Sequence, residues 1–170
     1  MPHFSRREAE ALSRRSLEGT EAHLGVDHPH TLISVNNLGV LLRDLGRLNE
    51  SDVLLQRAVA GTEAQLGAAH SYTLRSVHHV ALLRVAQGRS DEAEPLFRRA
   101  LEGLEAQLGV RHHWTLETMF GLAKLLEAKG SLQEAWEILG ARVAGCFAVM
   151  ILARSGHALL PHIYLVGHTL

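Results

Sequence analysis

Three copies of one segment determine how this chain folds. Residues 21–32 read EAHLGVDHPHTL, residues 63–74 read EAQLGAAHSYTL, and residues 105–116 read EAQLGVRHHWTL. The copies are 42 residues apart, and seven of their twelve positions are identical in all three. Self-similarity at a fixed period is the signature of a repeat architecture, in which each unit packs against its neighbours. The chain is therefore predicted to be an array of repeats.

Each repeat contains two helical patterns, which we call helix A and helix B. A threonine hydroxyl can accept a hydrogen bond from the first turn of helix A, and the three threonines in this position are Thr31, Thr73 and Thr115. A glycine can adopt the left-handed conformation that closes helix A, and the glycines so placed are Gly46, Gly88 and Gly130. Helix B is predicted to begin near Asn49, Ser90 and Ser131. Pro95 lies near the first turn of its helix, so we expect a displaced helix start there and not a break.

The spacing of apolar residues explains why such units stack. Helix A carries apolar or small residues at i, i+3, i+4 and i+7, as in Val35, Leu38, Gly39 and Leu42. Helix B combines small and large residues, so that two helices can approach closely. Each helix pair leaves apolar surface that only the next repeat can bury. With no strand pattern in the sequence, the prediction is an all-α array of antiparallel helix pairs.

These residues resemble the tetratricopeptide repeat. In that family a core position of helix A is followed by Asn-Leu-Gly, as in Val35 and residues 37–39, and helix B carries spaced Ala, Phe and Ala, as in Ala93, Phe97 and Ala100. The ordinary period is about 34 residues. The longer helix B and the Leu-Gly-x-x-His-Pro-x-Thr linker of this chain are similar to the repeats of kinesin light chains and of nephrocystin-3-like proteins.

The resemblance covers about residues 5–140 and implies a right-handed α-solenoid. We expect a repeat array over residues 5–142. Its parts are a half repeat at 5–25 and repeats at about 30–67, 72–109 and 114–142.

The resemblance also implies a peptide-binding groove, because helix A faces line the concave side in this family. Asparagine side chains can clamp a peptide backbone, while Arg75 and Lys124 could attract a carboxylate. The implied ligand is an acidic peptide, either extended or briefly helical. The groove positions carried over to this sequence are Asn36, Asn37, Arg43, Arg75, His78, His79, Phe120 and Lys124.

Parts of the sequence depart from the family pattern. His78-His79 and Phe120-Gly121 replace the Asn-Asn pair in the second and third copies, and Arg84 occupies a usually apolar position. Kinesin light chains also carry a long heptad region that binds the motor heavy chain, and this sequence has no such region. We therefore expect a protein or peptide partner other than kinesin heavy chain.

Composition argues against other classes of partner. The 17 Lys and Arg residues against 18 Asp and Glu residues give a formal charge of −1. A nucleic-acid-binding or polybasic membrane surface needs a concentrated excess of Lys and Arg. Cys146 is the only cysteine, so no intrachain disulfide can form and a reducing compartment is expected. The amino terminus runs into charged residues without a secretory signal, so we expect a cytoplasmic protein.

Neither metal binding nor catalysis is predicted. His28, His70 and His112 recur once per repeat, so they lie too far apart to share an ion and are interpreted as loop-capping or packing residues. Cys146 lies in an apolar run without an acid–base partner nearby in sequence, which favours a buried thiol over a nucleophile. No phosphate loop or metalloprotease helix is present in the sequence. We expect no metal, no cofactor and no enzymatic activity.

The carboxyl-terminal segment, residues 143–170, has Arg154 as its only charged residue. Neither of its apolar runs reaches the roughly 20 residues that span a bilayer. The favoured interpretation is that residues 143–153 continue the last helix B and cap the array, followed by a poorly ordered remainder. Membrane association and a truncated or misread longer chain remain alternatives.

Two functional hypotheses follow. The first is a non-catalytic cytoplasmic adaptor that binds a peptide segment in the groove. The second is a structural or assembly module that self-associates or attaches to membrane through the carboxyl-terminal segment.

Overall fold

The computed structural model describes residues 6–140 and shows α-helices without strands in that range. The helices are α1 Arg6–Leu24, α2 Pro29–Asp44, α3 Leu48–Leu66, α4 Ser71–Ala86, α5 Ser90–Leu108, α6 His113–Ala128 and α7 Leu132–Gly140. Helices α2, α4 and α6 are the A helices, and α1, α3, α5 and α7 are of the B type. Corresponding A helices begin and end 42 residues apart, as the repeated segment predicts. The chain is an all-α repeat array.

The A helices begin at the linker histidines, three residues before the predicted threonines. His28, His70 and His112 have extended backbones, and each Nδ1 accepts a hydrogen bond from the backbone N–H two residues on, at 3.2–3.3 Å. The expected capping role of these histidines is thereby confirmed. The expectation of a threonine cap was wrong, because Thr31 and Thr73 lie inside the helix and donate back to the carbonyls of Gly25 and Gly67.

The A helices end at the predicted glycines. At the end of α2, Gly46 has φ +78° and its N–H donates to the carbonyl of Arg43, while the Arg47 N–H donates to the carbonyl of Leu42. This pair of bonds is the Schellman motif, which requires the left-handed conformation that glycine adopts without steric cost. The same arrangement closes α4 and α6. Helix B begins within one residue of each predicted start.

Helices A and B pack closely because glycines remove side chains at their contacts. A Cβ on Gly61 would overlap the Leu32 side chain, and a Cβ on Gly103 would lie 2.5 Å from Leu74 Cδ1. Leu32 and Leu74 are fully or almost fully buried at these contacts. The apolar stripes predicted for helix A and helix B form the core. Their buried members include Val35, Leu38, Leu42, Val77, Val80, Ala81, Ala93, Phe97, Ala100, Met119, Leu122, Ala123 and Leu126.

An ion pair joins each repeat to the helix B before it. The acceptors are Glu10, Asp52 and Glu94, which occupy the same position in α1, α3 and α5. The donors come from the following repeat: Arg47 to Glu10, Arg84 to Asp52 and Lys129 to Glu94. These cations lower the pKa of all three carboxyl groups, together with Arg14 at Glu10 and Arg98 at Glu94.

Arg84 explains how a cation is accommodated at an apolar position. Its side chain is 10% exposed, and its guanidinium binds both oxygens of Asp52, at 2.8 and 3.1 Å. Gln87 Oε1 accepts a further hydrogen bond at 2.7 Å. A mostly buried guanidinium needs such partners because removing an unpaired charge from water is costly.

The two kinds of helix form two layers. Consecutive A helices, α2 with α4 and α4 with α6, approach one another directly, whereas the B helices do so to a lesser extent. Ion pairs between long side chains link the B helices, including Arg57 with Glu21 and Arg98 with Glu134. The A layer is therefore the inner, concave side of the array and the B layer is the outer side.

Pro95 corrects another expectation. Helix α5 begins at Ser90, 42 residues after the start of α3, so its start is not displaced. Pro95 lies inside the continuous helix, with its ring exposed. The packing of Ala93, Phe97 and Ala100 at 0% exposure holds the helix together across the missing backbone donor.

The carboxyl-terminal segment, residues 143–170, lies outside the described residues, and so does its expected capping helix. Within residues 6–140, no helix combines the length and the apolar character needed to cross a membrane.

The glycines of the B helices give a matched test of the close A–B contact. We expect Gly61→Ala to lower the free energy of unfolding by about 1–3 kcal/mol, since Leu32 is buried and cannot move aside freely. Gly19 occupies the same position in α1, but a Cβ added there would meet no atom within 4 Å. Gly19→Ala should therefore raise stability by about 0.5–1 kcal/mol. Urea denaturation measures the free energy of unfolding of both variants. Equal changes in the two would show that the close contact with Leu32 is not the reason for a glycine at position 61.

Replacing the proline inside α5 should stabilise the protein. Pro95→Ala restores a backbone donor in a helix interior, so we expect the free energy of unfolding to rise by about 1–3 kcal/mol. Val53→Ala is the control, since Val53 is the exposed counterpart of Pro95 in α3. It should change stability by about 0.5 kcal/mol or less. Unchanged stability on thermal unfolding of Pro95→Ala would show that α5 compensates for the proline in another way.

Candidate functional site

The A-helix face is the inner surface of α2, α4 and α6, the three helices that carry the residues predicted as groove positions. Successive A helices place corresponding residues side by side, because they are related by the 42-residue period. Contacts between side chains of neighbouring A helices therefore decide which groups remain open to a ligand.

Two hydrogen bonds join the three A helices at the centre of this face. His79 Nδ1 lies 3.0 Å from Asn36 Oδ1 of α2, and His78 Nδ1 lies 3.1 Å from Thr118 Oγ1 of α6. Asn36 is 4% exposed and His78 is 6% exposed. The expectation that these two side chains face a ligand needs correction, because both are used between helices.

His78 faces the core and not the groove. Its ring meets the ring of Phe97 edge-on, with centroids 5.6 Å apart, and Phe97 belongs to the B helix α5. Burial lowers the pKa of His78 to about 4, and the nearby cations Arg43 and Arg75 act in the same direction. The pKa of His79 is also lowered well below its usual value, mainly by burial and then by His78. Both imidazoles are neutral at pH 7.

Three cations lie on the A-helix face, two of them against aromatic rings. The Arg75 guanidinium lies over the Trp114 ring, 4.9 Å from its centroid, and the Lys124 ammonium lies 5.3 Å from the centroid of Phe120. Such cation–π contacts orient the long side chains while leaving their hydrogen-bond donors available. Lys124 is exposed, and Arg75 is half-buried.

Arg43 is the third cation, and its donors are only partly used. Its Nε and Nη2 donate to Asp44 Oδ1 at 3.0 and 2.8 Å. The Nη1 atom is buried and has no hydrogen-bond partner. An unpaired buried donor on a charged group is costly, and the neighbouring Asp44 carboxylate offsets part of the charge of Arg43.

Asn37 lies at one end of the face. It is exposed and lines a hollow of about 230 Å³ together with Leu12, Ser13, Ser16 and Ser34. This hollow is formed by α1 and α2, at the amino-terminal end of the described array. The amide of Asn37 is thus accessible, in contrast to that of Asn36.

Sequence reasoning missed two aromatic residues of this surface. Trp114 supports Arg75, and Tyr72 contacts Trp114 with ring centroids 5.5 Å apart. Each lies two residues after a linker histidine and its ring contacts that histidine. The ring-bearing residue at this position of every copy, His30, Tyr72 or Trp114, was the signal in the sequence.

A second concavity lies on the outer side of the array. It has a volume of about 440 Å³ and is formed by α3, α4 and α5, with Val59, Val77, Val80 and Leu96 among its lining residues. None of the carried-over groove residues contributes to it. The cations at its edge, Arg84 and Arg99, are bound to Asp52 and Glu63.

The described residues do not form a metal site. No three His, Cys, Asp or Glu side chains within residues 6–140 are placed so that they could hold one ion. The linker histidines use Nδ1 as helix caps instead.

Comparison with family models identifies the repeats. Models of the tetratricopeptide repeat match residues 31–106 and 72–140, and another tetratricopeptide-repeat model matches residues 4–30. No curated protein matches the chain significantly.

Solved structures give the same result. A kinesin light chain candidate from Podosopora anserina with nearly identical TPR-like repeats is 27% identical, with a TM-score of 0.70 over 90% of this chain and 70% of the other. A variant of that same protein is also 27% identical, with a TM-score of 0.64 over 88% and 68% of the two chains. BtubC (BKLC) from P. vanneervenii, at 15% identity, shares the fold with a TM-score of 0.68 over 89% and 59%. Since the family models cover most of its length, the chain belongs to the tetratricopeptide-repeat family and forms a protein-interaction scaffold of the kinesin light chain-like type.

Proposed function

We propose that this protein is a non-catalytic cytoplasmic adaptor that binds an acidic peptide segment of a partner protein on the A-helix face. The observation that carries the proposal is the set of three cations on this face. Arg75 and Lys124 are held against aromatic rings, and Arg43, which is paired with Asp44, is the third cation. The similarity to kinesin light chain-like repeats supports a protein partner.

The chemistry of the face favours carboxylates in the partner. A carboxylate can accept two parallel hydrogen bonds from a guanidinium, and such charge-assisted bonds are stronger than neutral ones. The rings of Trp114 and Phe120 lie beside two of the cations and offer apolar surface for a neighbouring side chain of the peptide. An acidic peptide with apolar anchors matches both features.

The amide of Asn37 supplies a different kind of contact. It carries both a donor and an acceptor and is exposed beside the hollow between α1 and α2. A peptide backbone passing this end of the face can pair with both groups. Binding then needs no covalent chemistry, and the repeat array acts only as a rigid support for the contacts.

The groove residues are tested together by Asn37→Ala, Arg75→Ala and Lys124→Ala in the full chain. Peptides selected from a random display library on the unmodified protein should be rich in Asp and Glu. The triple variant should bind them about tenfold or more weakly, because each cation–carboxylate bond contributes about 1.5–3 kcal/mol. Fluorescence anisotropy with labelled peptides measures the affinities, and circular dichroism checks that helicity is unchanged.

A matched control removes one asparagine and two cationic residues elsewhere. Arg15, Asn49 and Arg111 are exposed and lie outside the A-helix face. Their combined replacement by alanine should leave the affinity unchanged. Equal binding by the triple groove variant and the unmodified protein would rule out the groove assignment. Concentration-dependent self-association of the full chain in sedimentation experiments would instead favour the assembly-module hypothesis.

A further inference from the structure

The connection between the three A helices depends on one pair of residues in α4. Within the described residues, the side-chain hydrogen bonds that join A helices to one another are those of His79 with Asn36 and of His78 with Thr118. Helix α4 is therefore tied to α2 on one side and to α6 on the other through two adjacent imidazoles. A positive charge on either ring would therefore lie where the A helices contact one another.

The hydrogen bonds fix which nitrogen carries the proton. Thr118 Oγ1 donates its single proton to the carbonyl of Trp114 at 2.8 Å, so it accepts from His78 Nδ1. Asn36 Oδ1 can only accept, so His79 Nδ1 is also a donor. The basic nitrogen of both rings is thus Nε2. The structure shows no hydrogen-bond partner for either Nε2 among the described residues.

The surroundings oppose a positive charge at this pair. The charged groups that act on it are Arg43 from α2 and Arg75 from α4 itself, and both are cations. Helix α5 contributes the ring of Phe97 and α6 contributes the hydroxyl of Thr118, neither of which can neutralise an imidazolium. No carboxylate acts on either histidine within the described part of the chain.

We propose that the His78–His79 pair is an acid-sensitive joint, which holds the A-helix face closed at neutral pH and releases α4 from α2 and α6 when the rings are protonated. If both rings were protonated, the two imidazolium groups would repel each other and the nearby Arg43 and Arg75. Burial would also deprive them of hydration. Opening of α4 lets both rings reach water and acquire their protons. The open form is consequently favoured as the pH falls.

The first copy of the repeat supplies the control for this joint. Asn36 and Asn37 occupy the positions that correspond to His78 and His79, and an amide can form hydrogen bonds without titrating. The variant His78→Asn/His79→Asn therefore keeps polar groups of a type that the repeat already uses at these positions. It removes the two titratable imidazole rings that make the joint sensitive to acid.

The direction of the pH effect follows from the number of protons that the closed and open forms bind. The pKa of His78 is lowered from 6.5 to about 4 in the folded chain, so the open form binds more protons between these values. The joint is fully stable above about pH 7 and weakens as the pH falls through 6.5. For His78 alone, the equilibrium should shift toward the open form about thirtyfold at pH 5. The ion-paired carboxyl groups have lowered pKa values, so they become protonated and lose their ion pairs only at more acidic pH.

Hydrogen exchange of the full chain at pH 7.5 and pH 5 tests the proposal, after correction for intrinsic exchange rates. In the unmodified protein, the protection of residues 71–86 should fall about thirtyfold or more, while α1 serves as an internal reference that changes little. His78→Asn/His79→Asn should abolish this fall. His113→Asn, at an exposed histidine, should leave it intact. An equal fall in the double variant, or none in the unmodified protein, would overturn the proposal.

Direct titration keeps the proposal testable if the double variant does not fold. The histidine ring signals of the unmodified full chain are followed by NMR from pH 8 to pH 4. His78 should remain neutral, with the proton on Nδ1, down to about pH 5. An ordinary titration of His78 in the folded chain would overturn the proposal.

Discussion

The close contact between helix A and helix B inside each repeat is the constraint on which the array depends. Leu32 and Leu74 occupy space that would belong to side chains at Gly61 and Gly103. On the other side of the first pair, Ser51 Oγ donates to the carbonyl of Gly39 at 2.7 Å, so the two backbones are held together there as well. Because the first two pairs make the same glycine–leucine contact, each presents a similar apolar surface to the next repeat. The constant period of 42 residues follows from that similarity of surfaces.

The contacts between successive repeats have similar apolar packing but different ion pairs. The acceptor is in each case the carboxylate at one position of the preceding helix B, but the donor is Arg47 in a turn, Arg84 within a helix, or Lys129 at a helix end. Because α1, α3 and α5 all carry a carboxylate at the acceptor position, each of these donors has an acceptor of the same kind at every such contact. Arg84 depends most on this acceptor, since its side chain is 10% exposed and its charge would otherwise be unpaired.

The fold could be read from the sequence because the signals that set it are local. The glycines that end the A helices act through their own backbone angles, and the period fixes all corresponding helix ends together. The starts of the A helices were harder to predict, because histidine is a less usual cap than threonine and both recur in every copy. Pro95 was misjudged for a different reason, since the packing of α5 and not its local propensity decides the outcome. The roles of Asn36 and His78 depend on partners 43 and 40 residues away, which no local pattern reveals.

Comparison between the copies separates residues that serve the fold from residues that serve binding. Within the repeated twelve-residue segment, the positions identical in all three copies lie in the linker and at its flanking helix ends, where the cap and the A–B contact require them. The A-helix face behaves in the opposite way. Arg75 has Ile33 and Glu117 as its counterparts, and Lys124 corresponds to an apolar residue in both other copies. A face needed only for stacking would repeat like the core, because all copies meet the same packing requirement. Variation on the open side is what the proposed binding of one non-repeating ligand requires, because each copy would then contact a different part of it.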